Sequence, residues 1–280
     1  MFNSIYFYLL SVAPEGGDSL LHKAAEGSQA AAEASEESHE LPNLVTFINK
    51  SFAHHYDALV YSGVVALMMI AVAIITYRKR QLIPGKLQNL VEMILEALDN
   101  LIFSVMGKEG RKFVPFLGTL FLYIWFMNLI GLIPFFKSST SSINTTAALA
   151  ITVFLYVQYT GIKRLGVWGY FHHLLGSPTD AVTWALAPIN FPIHVIGELA
   201  KPFSLALRLF GNITGEDILI AAFVSLGIMF MGIFHSPIGF PFQIPFILLA
   251  MLTSTIQALV FMMLSTIYFV MVLPHEEHEH

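Results

Sequence analysis

Polar and apolar positions fall in separate blocks along this chain. Residues 58–77 form a run of 20 without a charge, which as a helix crosses a hydrocarbon core of about 30 Å. The run stops at "RKRQLIPGK". Residues 86–105 follow a different rule. Leu87, Leu90, Val91, Ile94, Leu95, Leu98, Leu101, Ile102 and Val105 recur at helical spacing, and Glu92, Glu96 and Asp99 share the other side. That pattern predicts an amphipathic helix lying at the membrane face or docked on a partner.

Further spans are predicted at 113–133, closed by Pro134, and at 146–162, a shorter one with Gln158 near its end. A polar turn, "FFKSSTSSINTT", separates them, and "KRLGVWGYFHHLLGSPTD" follows the second. From 185 to 234 runs a long apolar segment interrupted by charges. Pro188 and Pro192 suggest that its helix proper begins near residue 190. "HSPIGFPFQIP", with three prolines, breaks it before a last span at 246–272. As unbroken helix, 185–234 would be about 75 Å long, more than twice the core thickness. The expectation is an all-α membrane protein of about five transmembrane helices plus one amphipathic interfacial helix. The last two spans would form a long, strongly tilted hairpin.

Residues 1–57 read otherwise. "APEGGDSLLHKAAEGSQAAAEASEESHELP" is rich in Ala, Ser, Glu and Gly without a sustained apolar period, as in a solvated, largely flexible acidic extracytoplasmic segment. Residues 5–13 resemble a short signal h-region, but no Lys or Arg precedes them, and Pro14 directly follows the one Ala-like cleavage position. The terminal "HEEHEH", within an acidic, His-bearing tail 274–280, invites a metal reading. A solvated tail with no rigid scaffold is the competing one, and no metal is expected. The pairs His54-His55 and His172-His173 read as interfacial, and "FLYIWF" as lipid-facing or packed.

Composition agrees with the blocks. The chain is 56% hydrophobic and 12% charged, half the charge of a soluble domain. It has no cysteine, which excludes disulfides and thiolate chemistry. No basic patch interleaved with aromatics points to nucleic acid. Seven of the fourteen Lys and Arg (Arg78, Lys79, Arg80, Lys86, Lys108, Arg111, Lys112) lie between the first two spans, and Lys163 and Arg164 follow the third. By the positive-inside rule the N-terminus lies outside and the C-terminus in the cytoplasm.

The long segment carries the candidate chemistry. Lys201 and Arg208 are seven residues apart and differ by about 20° around a helix. Glu198, Asn212 and Gly215 lie on the same side, with Glu216 at its edge. Pro202 leaves the Glu198 carbonyl without its helical donor. Lys201 can pair with Glu198 or snorkel to the interface. Arg208 has no carboxylate three or four residues away, and its guanidinium does not deprotonate. A charge at membrane depth costs several kcal/mol or more, so its counter-charge is expected from another subunit.

"KPFSLALRLFGN" resembles the signature of the a-subunit family of rotary F-type ATP synthases. "FMNLIGLIP", "SINTTAALA" and "TSTIQALVFMML" resemble further family segments in the same order, and the likeness covers about residues 58–273. Two departures stand out. Ser141 and Ser142 occupy the stretch where the family usually has an Asp. Glu216 and Asp217 stand eight and nine positions after Arg208, where the family usually has one acid, at plus nine.

The resemblance implies a stator subunit with two aqueous half-channels that load and unload ions, H⁺ or Na⁺, on a carboxylate of a rotating c-ring. Its implied partners are that ring of small hairpin subunits, b-type peripheral stalk subunits and membrane lipid, in a bacterial inner membrane. No cofactor and no catalytic chemistry of its own are implied. Arg208 would be the electrostatic seal between the half-channels. Glu216, Asp217, Gln257, Asn128 and Asn144 would lie on the outer side, and Glu198, His194 and Lys201 on the inner side. Asn212 and Thr253 would support the helix pair. Asn128 has a plainer alternative, a helix–helix hydrogen bond; His194 is either a proton relay or a residue at the wet end. The rival function is a self-contained secondary ion transporter or channel. Such proteins are often built from internal repeats, and none is visible here.

Overall fold

The computed structural model describes residues 50–78, 81, 84–133, 136, 138–175, 181–232 and 241–273. The signal-like stretch, the acidic segment up to residue 49, the proline-rich break at 233–240 and the His-bearing tail lie outside the described residues.

Among the described residues six α-helices follow in order: α1 Lys50–Arg78, α2 Lys86–Met106, α3 Val114–Gly131, α4 Ile143–Leu174, α5 Ala181–Gly232 and α6 Ile244–Val272. Short 3-10 turns, Gly107–Lys112 and Ser139–Ser141, join α2 to α3 and α3 to α4. Five helices are long and apolar enough to cross a membrane; α2 is not among them. The fold class read from the sequence is therefore the one observed.

Two elements differ from the sequence reading. The third span does not stop near residue 162, because α4 runs on to Leu174 through a break at Gly166, which adopts φ 72° and ψ 162°. A side chain at that positive φ is strained, and Gly is not. Helix α5 begins at Ala181 rather than near residue 190, and holds Pro188, Pro192 and Pro202 inside it. Each proline removes one backbone donor and bends a helix without having to end it when neighbouring groups or water serve the freed carbonyls. At 52 residues, α5 is about 78 Å long.

The packing is that of a protein whose solvent is hydrocarbon. Ser139, Thr140, Ser265 and Thr266 are completely buried, whereas Leu67, Ile189, Ile218, Met229 and Leu248 face outward. Two of these hydroxyls are quenched within their own helix: Ser265 and Thr266 donate to the carbonyls of Phe261 and Met262. Small hydroxyl residues on the inside let helices approach and bond one another. At one end, Phe113, Tyr156 and Phe269 clamp α3, α4 and α6, with Phe113 and Phe269 4.6 Å apart and Tyr156 edge-on to Phe269 at 5.3 Å. Tyr123 on α3 donates to the Ser62 carbonyl of α1 at 3.1 Å.

Helix α2 is only partly docked. Leu98 and Ile102 are buried in the core, while Leu90, Met93 and Leu95 are exposed. The turn after it is anchored by Glu109, whose carboxylate meets Arg164 of α4 at 2.5 Å and Lys112 at 3.0 Å.

Candidate functional site

Helix α5 packs against both α4 and α6, and polar side chains collect in two groups along it. Between the groups stands Arg208, exposed on α5. Among the described residues no carboxylate lies within ion-pair distance of its guanidinium. Leu205, Ala206 and Leu209 around it are buried against the bundle, so α5 turns its apolar side inward here and its cation outward.

One turn beyond Arg208, Asn212 donates its Nδ2–H to Oε1 of Gln257 at 2.5 Å. Gln257 lies on α6 and is buried, and its own Nε2 has no partner. One further turn along α5, the Glu216 carboxylate accepts from Ser254 Oγ at 3.3 Å, with Thr253 beside it; the Thr253 hydroxyl donates to the Leu249 carbonyl of its own helix at 2.8 Å. Asp217 follows, half-buried.

Behind this group a second layer of hydrogen bonds holds α3 and the α3–α4 turn. Asn128 Nδ2 donates to the Ser254 carbonyl at 3.4 Å, and its Oδ1 accepts from Thr140 Oγ1 at 2.7 Å. Ser138 Oγ lies 2.7 Å from Thr140 Oγ1 and donates to the Met127 carbonyl at 3.2 Å. The turn can come so close because residue 131 is glycine: a Cβ there would sit 2.5 Å from Ser138 Cβ and 2.9 Å from its backbone. The geometry gives Asn128 the helix–helix hydrogen bond that was its plainer reading. An amide whose oxygen and nitrogen are both engaged fixes Ser254, and through it the carboxylate of Glu216.

The other group lies ten residues before Arg208, about 15 Å along the helix axis. Glu198 Oε1 pairs with Lys201 Nζ, and its Oε2 accepts from Gln158 Nε2 of α4 at 3.2 Å. Gln158 Oε1 in turn accepts from Tyr170 OH. Tyr170 stands beyond the Gly166 break on the same helix. The Lys201 ammonium sits 5.6 Å above the ring of Tyr268 on α6, and the Tyr268 phenol is within electrostatic reach of both Arg208 and Glu198. A cavity of about 10 Å³ lies among Glu198, Lys201, Pro202, Leu205 and Tyr268, about the room one water needs. Pro202, in the lining of this cavity, leaves the Glu198 carbonyl without its helical donor.

The structure thus brings together most of the residues singled out from the sequence. Glu198 and Lys201 pair, Asn212 meets Gln257, and Thr253 meets Glu216. Asn144 does not join them: it is exposed in the first turn of α4 and makes no hydrogen bond to the Asn128 group. His194 is exposed one turn before Glu198. Among the described residues no cluster of three His, Asp or Glu is placed to hold a metal ion.

Five contributors went unread as site residues: Ser254, Thr140, Gln158, Tyr170 and Tyr268. Two of them were within reach of spacing. Ser254 is three residues before Gln257, and Tyr268 is eleven after it, which brings it to within about 20° of the same side. Nothing in the pattern could have placed Tyr170, because the reversal at Gly166 lies in a stretch that reads as loop.

Residues 59–270 match the family described as "ATP synthase A chain". The chain is 43% identical to the ATP synthase subunit a of Protochlamydia amoebophila over 248 residues, 86% of this chain and 91% of that one. It is 41% identical to the subunit a of Oleidesulfovibrio alaskensis over 74% of this chain and 82% of the other. With the subunit a of Desulfosudis oleivorans it shares 38% identity over 80% and 91%.

Proposed function

This chain belongs to the ATP synthase A chain family, and from that premise we propose how its residues carry an ion. It is an integral membrane protein and the stator ion-channel subunit of a rotary ATP synthase, working with the other subunits of the membrane sector. The reading of a self-contained transporter is not favoured.

The proposal assigns the two polar groups to two half-channels. The Glu216 group, with Asp217, Asn212, Gln257 and Thr253, serves the outer side. The Glu198 group, with Lys201 and His194 near its end, serves the inner side. Eighteen residues of α5 separate the two carboxylates, about 27 Å. An ion passes from one to the other on a carboxylate of a rotating ring, not through this chain. The N-terminus lies outside and the C-terminus in the cytoplasm, in keeping with the basic loop between α1 and α3. Peripheral stalk subunits hold the chain against the torque, and the ion is H⁺.

One observation carries this reading: Arg208 is an exposed, permanent cation between the two groups, with no carboxylate partner of its own among the described residues. A ring carboxylate passing it is favoured in its ionised form, because an opposite charge nearby stabilises the anion. The same cation repels any cation taking the direct route between the half-channels. Each elementary charge crossing about 100 mV releases about 2.3 kcal/mol, which the ring takes up as rotation.

Flux through the Arg208→Ala complex tests this. The complex is reconstituted into liposomes, and ATP synthesis is measured with the catalytic head in place and passive H⁺ flux with it removed. Synthesis is expected to stop while passive flux persists or rises. Synthesis near the unmutated rate would overturn the proposed role.

A further inference from the structure

The inner group contains a contact that ion transfer as described does not use. Glu198 is held from two directions: Lys201, on its own helix, takes one oxygen, and Gln158, from α4, takes the other. Gln158 is not free to choose. Its amide oxygen is occupied by the Tyr170 hydroxyl, which leaves its N–H groups for Glu198. Flipping the amide would turn its oxygen onto the Glu198 carboxylate, which only accepts, and lose that bond. Tyr170 reaches Gln158 only because the chain changes course at Gly166, which takes a backbone angle that other residues rarely adopt. Twelve residues separate Tyr170 from Gln158 along α4, about 18 Å in an unbroken helix, too far for a phenol to bridge.

We propose that Gln158 and Tyr170 are positioning residues of the inner half-channel: the break at Gly166 returns Tyr170 to Gln158, and Gln158 holds Glu198 at the small cavity beside Tyr268. The assignment rests on the reading of the Glu198 group as the inner ion path. Neither residue touches the ion. Tyr170 sets the orientation of the Gln158 amide, and that amide fixes which way one carboxylate oxygen faces. With Gln158 gone, Glu198 keeps Lys201 as a partner, and its second carboxylate oxygen loses the donor that fixes its orientation.

The groups facing Glu198 are few. Lys201 lies on α5, Gln158 and Tyr170 on α4, and Tyr268 on α6, with Arg208 acting from further along α5 through its reach to Tyr268. Of these, only Gln158 and Tyr170 can be altered without changing a formal charge or the α6 face.

The test uses the whole ATP synthase in inverted membrane vesicles, measuring ATP-driven H⁺ uptake and, after the catalytic head is stripped, passive H⁺ flux over a range of pH. Variants are Gln158→Leu, Tyr170→Phe, Glu198→Gln and each of the first two combined with the third. Gln158→Leu is expected to slow both fluxes about tenfold and change the shape of the pH profile. Tyr170→Phe acts in the same direction and less strongly. In the Glu198→Gln background neither change adds further loss, because both work through that carboxylate. A structural defect would lower flux by one factor at every pH and multiply with Glu198→Gln; that pattern overturns the proposal. So does unaltered flux in both Gln158→Leu and Tyr170→Phe while Glu198→Gln is slow, which would leave the inner path standing. Normal flux in Glu198→Gln overturns the inner path itself and the proposal with it. Should Gln158→Leu fail to assemble, Tyr170→Phe alone and with Glu198→Gln decides, since it deletes a single hydroxyl.

Discussion

Asn212 and Gln257 are joined by one 2.5 Å hydrogen bond across the α5–α6 interface, one turn from Arg208. The bond is the direct side-chain link between the two helices nearest the exposed cation, and it uses only the oxygen of Gln257, leaving its Nε2 donor group buried and unpaired. A buried donor in that condition costs about 1–3 kcal/mol. The pair therefore holds the helices in register while keeping one hydrogen-bonding group in reserve.

If register is its purpose, Asn212→Ala and Gln257→Ala should not act independently. Each single variant is expected to slow ATP-driven pumping, and the double variant should be little worse than the more damaging single one. The coupling between contacting residues of this kind is about 0.5–3 kcal/mol. Pumping rates of the four complexes, measured side by side, give that number; strict additivity would show that the bond holds nothing.

Gly131 is a second point of close approach. Alanine there would drive its Cβ into Ser138, backbone included, and the neighbour cannot yield without moving the turn that carries Thr140. Overpacking of this kind costs about 1–3 kcal/mol. The melting temperature of the purified subunit in detergent should fall, and pumping should fall with it because Asn128 loses its partner.

Thr140→Val keeps the shape of the residue and removes its hydroxyl. The oxygen of Asn128, buried on α3, would then lack the 2.7 Å donor it now has, at a cost of about 1–3 kcal/mol. Thr140→Ser restores a hydroxyl at the same place. Thermal unfolding should rank the unmutated protein and the Ser variant close together and the Val variant well below.

At Glu109 the prediction concerns pH. The Arg164 guanidinium, with Lys112 second, holds this carboxyl below its ordinary value of 4.5. A carboxyl whose folded value is depressed contributes stability above the unfolded value, and loses it as pH falls through the folded one. The difference in melting temperature between the unmutated protein and Glu109→Gln should be present at neutral pH and vanish on acidification below the carboxylate range. Because the pair is accessible to solvent, salt should shrink the difference.

Arg208→Lys separates charge from permanence. Lysine keeps the cation at neutral pH, yet burial against an apolar ring readily lets it deprotonate. Passive H⁺ flux through the stripped complex should be near normal at low pH and should leak increasingly as pH rises. A leak independent of pH would show that the shape of the guanidinium matters more than its charge.

The spans were legible in the sequence because lipid imposes a length and an apolar composition on every crossing. Arg208 was legible because an ionised residue amid Leu, Ala and Phe has no inexpensive explanation. Helix ends were less so. Pro188 and Pro192 read as a boundary, yet α5 runs through both; a local rule gives way where neighbouring groups can satisfy the freed carbonyls. The third span read short because Lys163, Arg164 and several glycines look like loop, although α4 continues past them and turns only at Gly166. The site divided along the same line. Residues on one helix face, such as Glu198, Lys201, Asn212 and Glu216, could be gathered by angle. Partners brought from other helices could not. Asn144, read from motif order beside Asn128, is exposed in the first turn of α4.

The hydrogen bonds of the Glu216 group run from α5 to α6 and on to α3, and those of the Glu198 group from α5 to α4; among the described residues none of these bonds joins the two groups. The gap has a plain mechanical meaning. On the proposed assignment of the two groups to two half-channels, the protein is two landings without a staircase: whatever steps onto one must be carried sideways before it can step off the other. A stationary part of that design would leak little when its moving counterpart stalls, and would not conduct when that counterpart is missing.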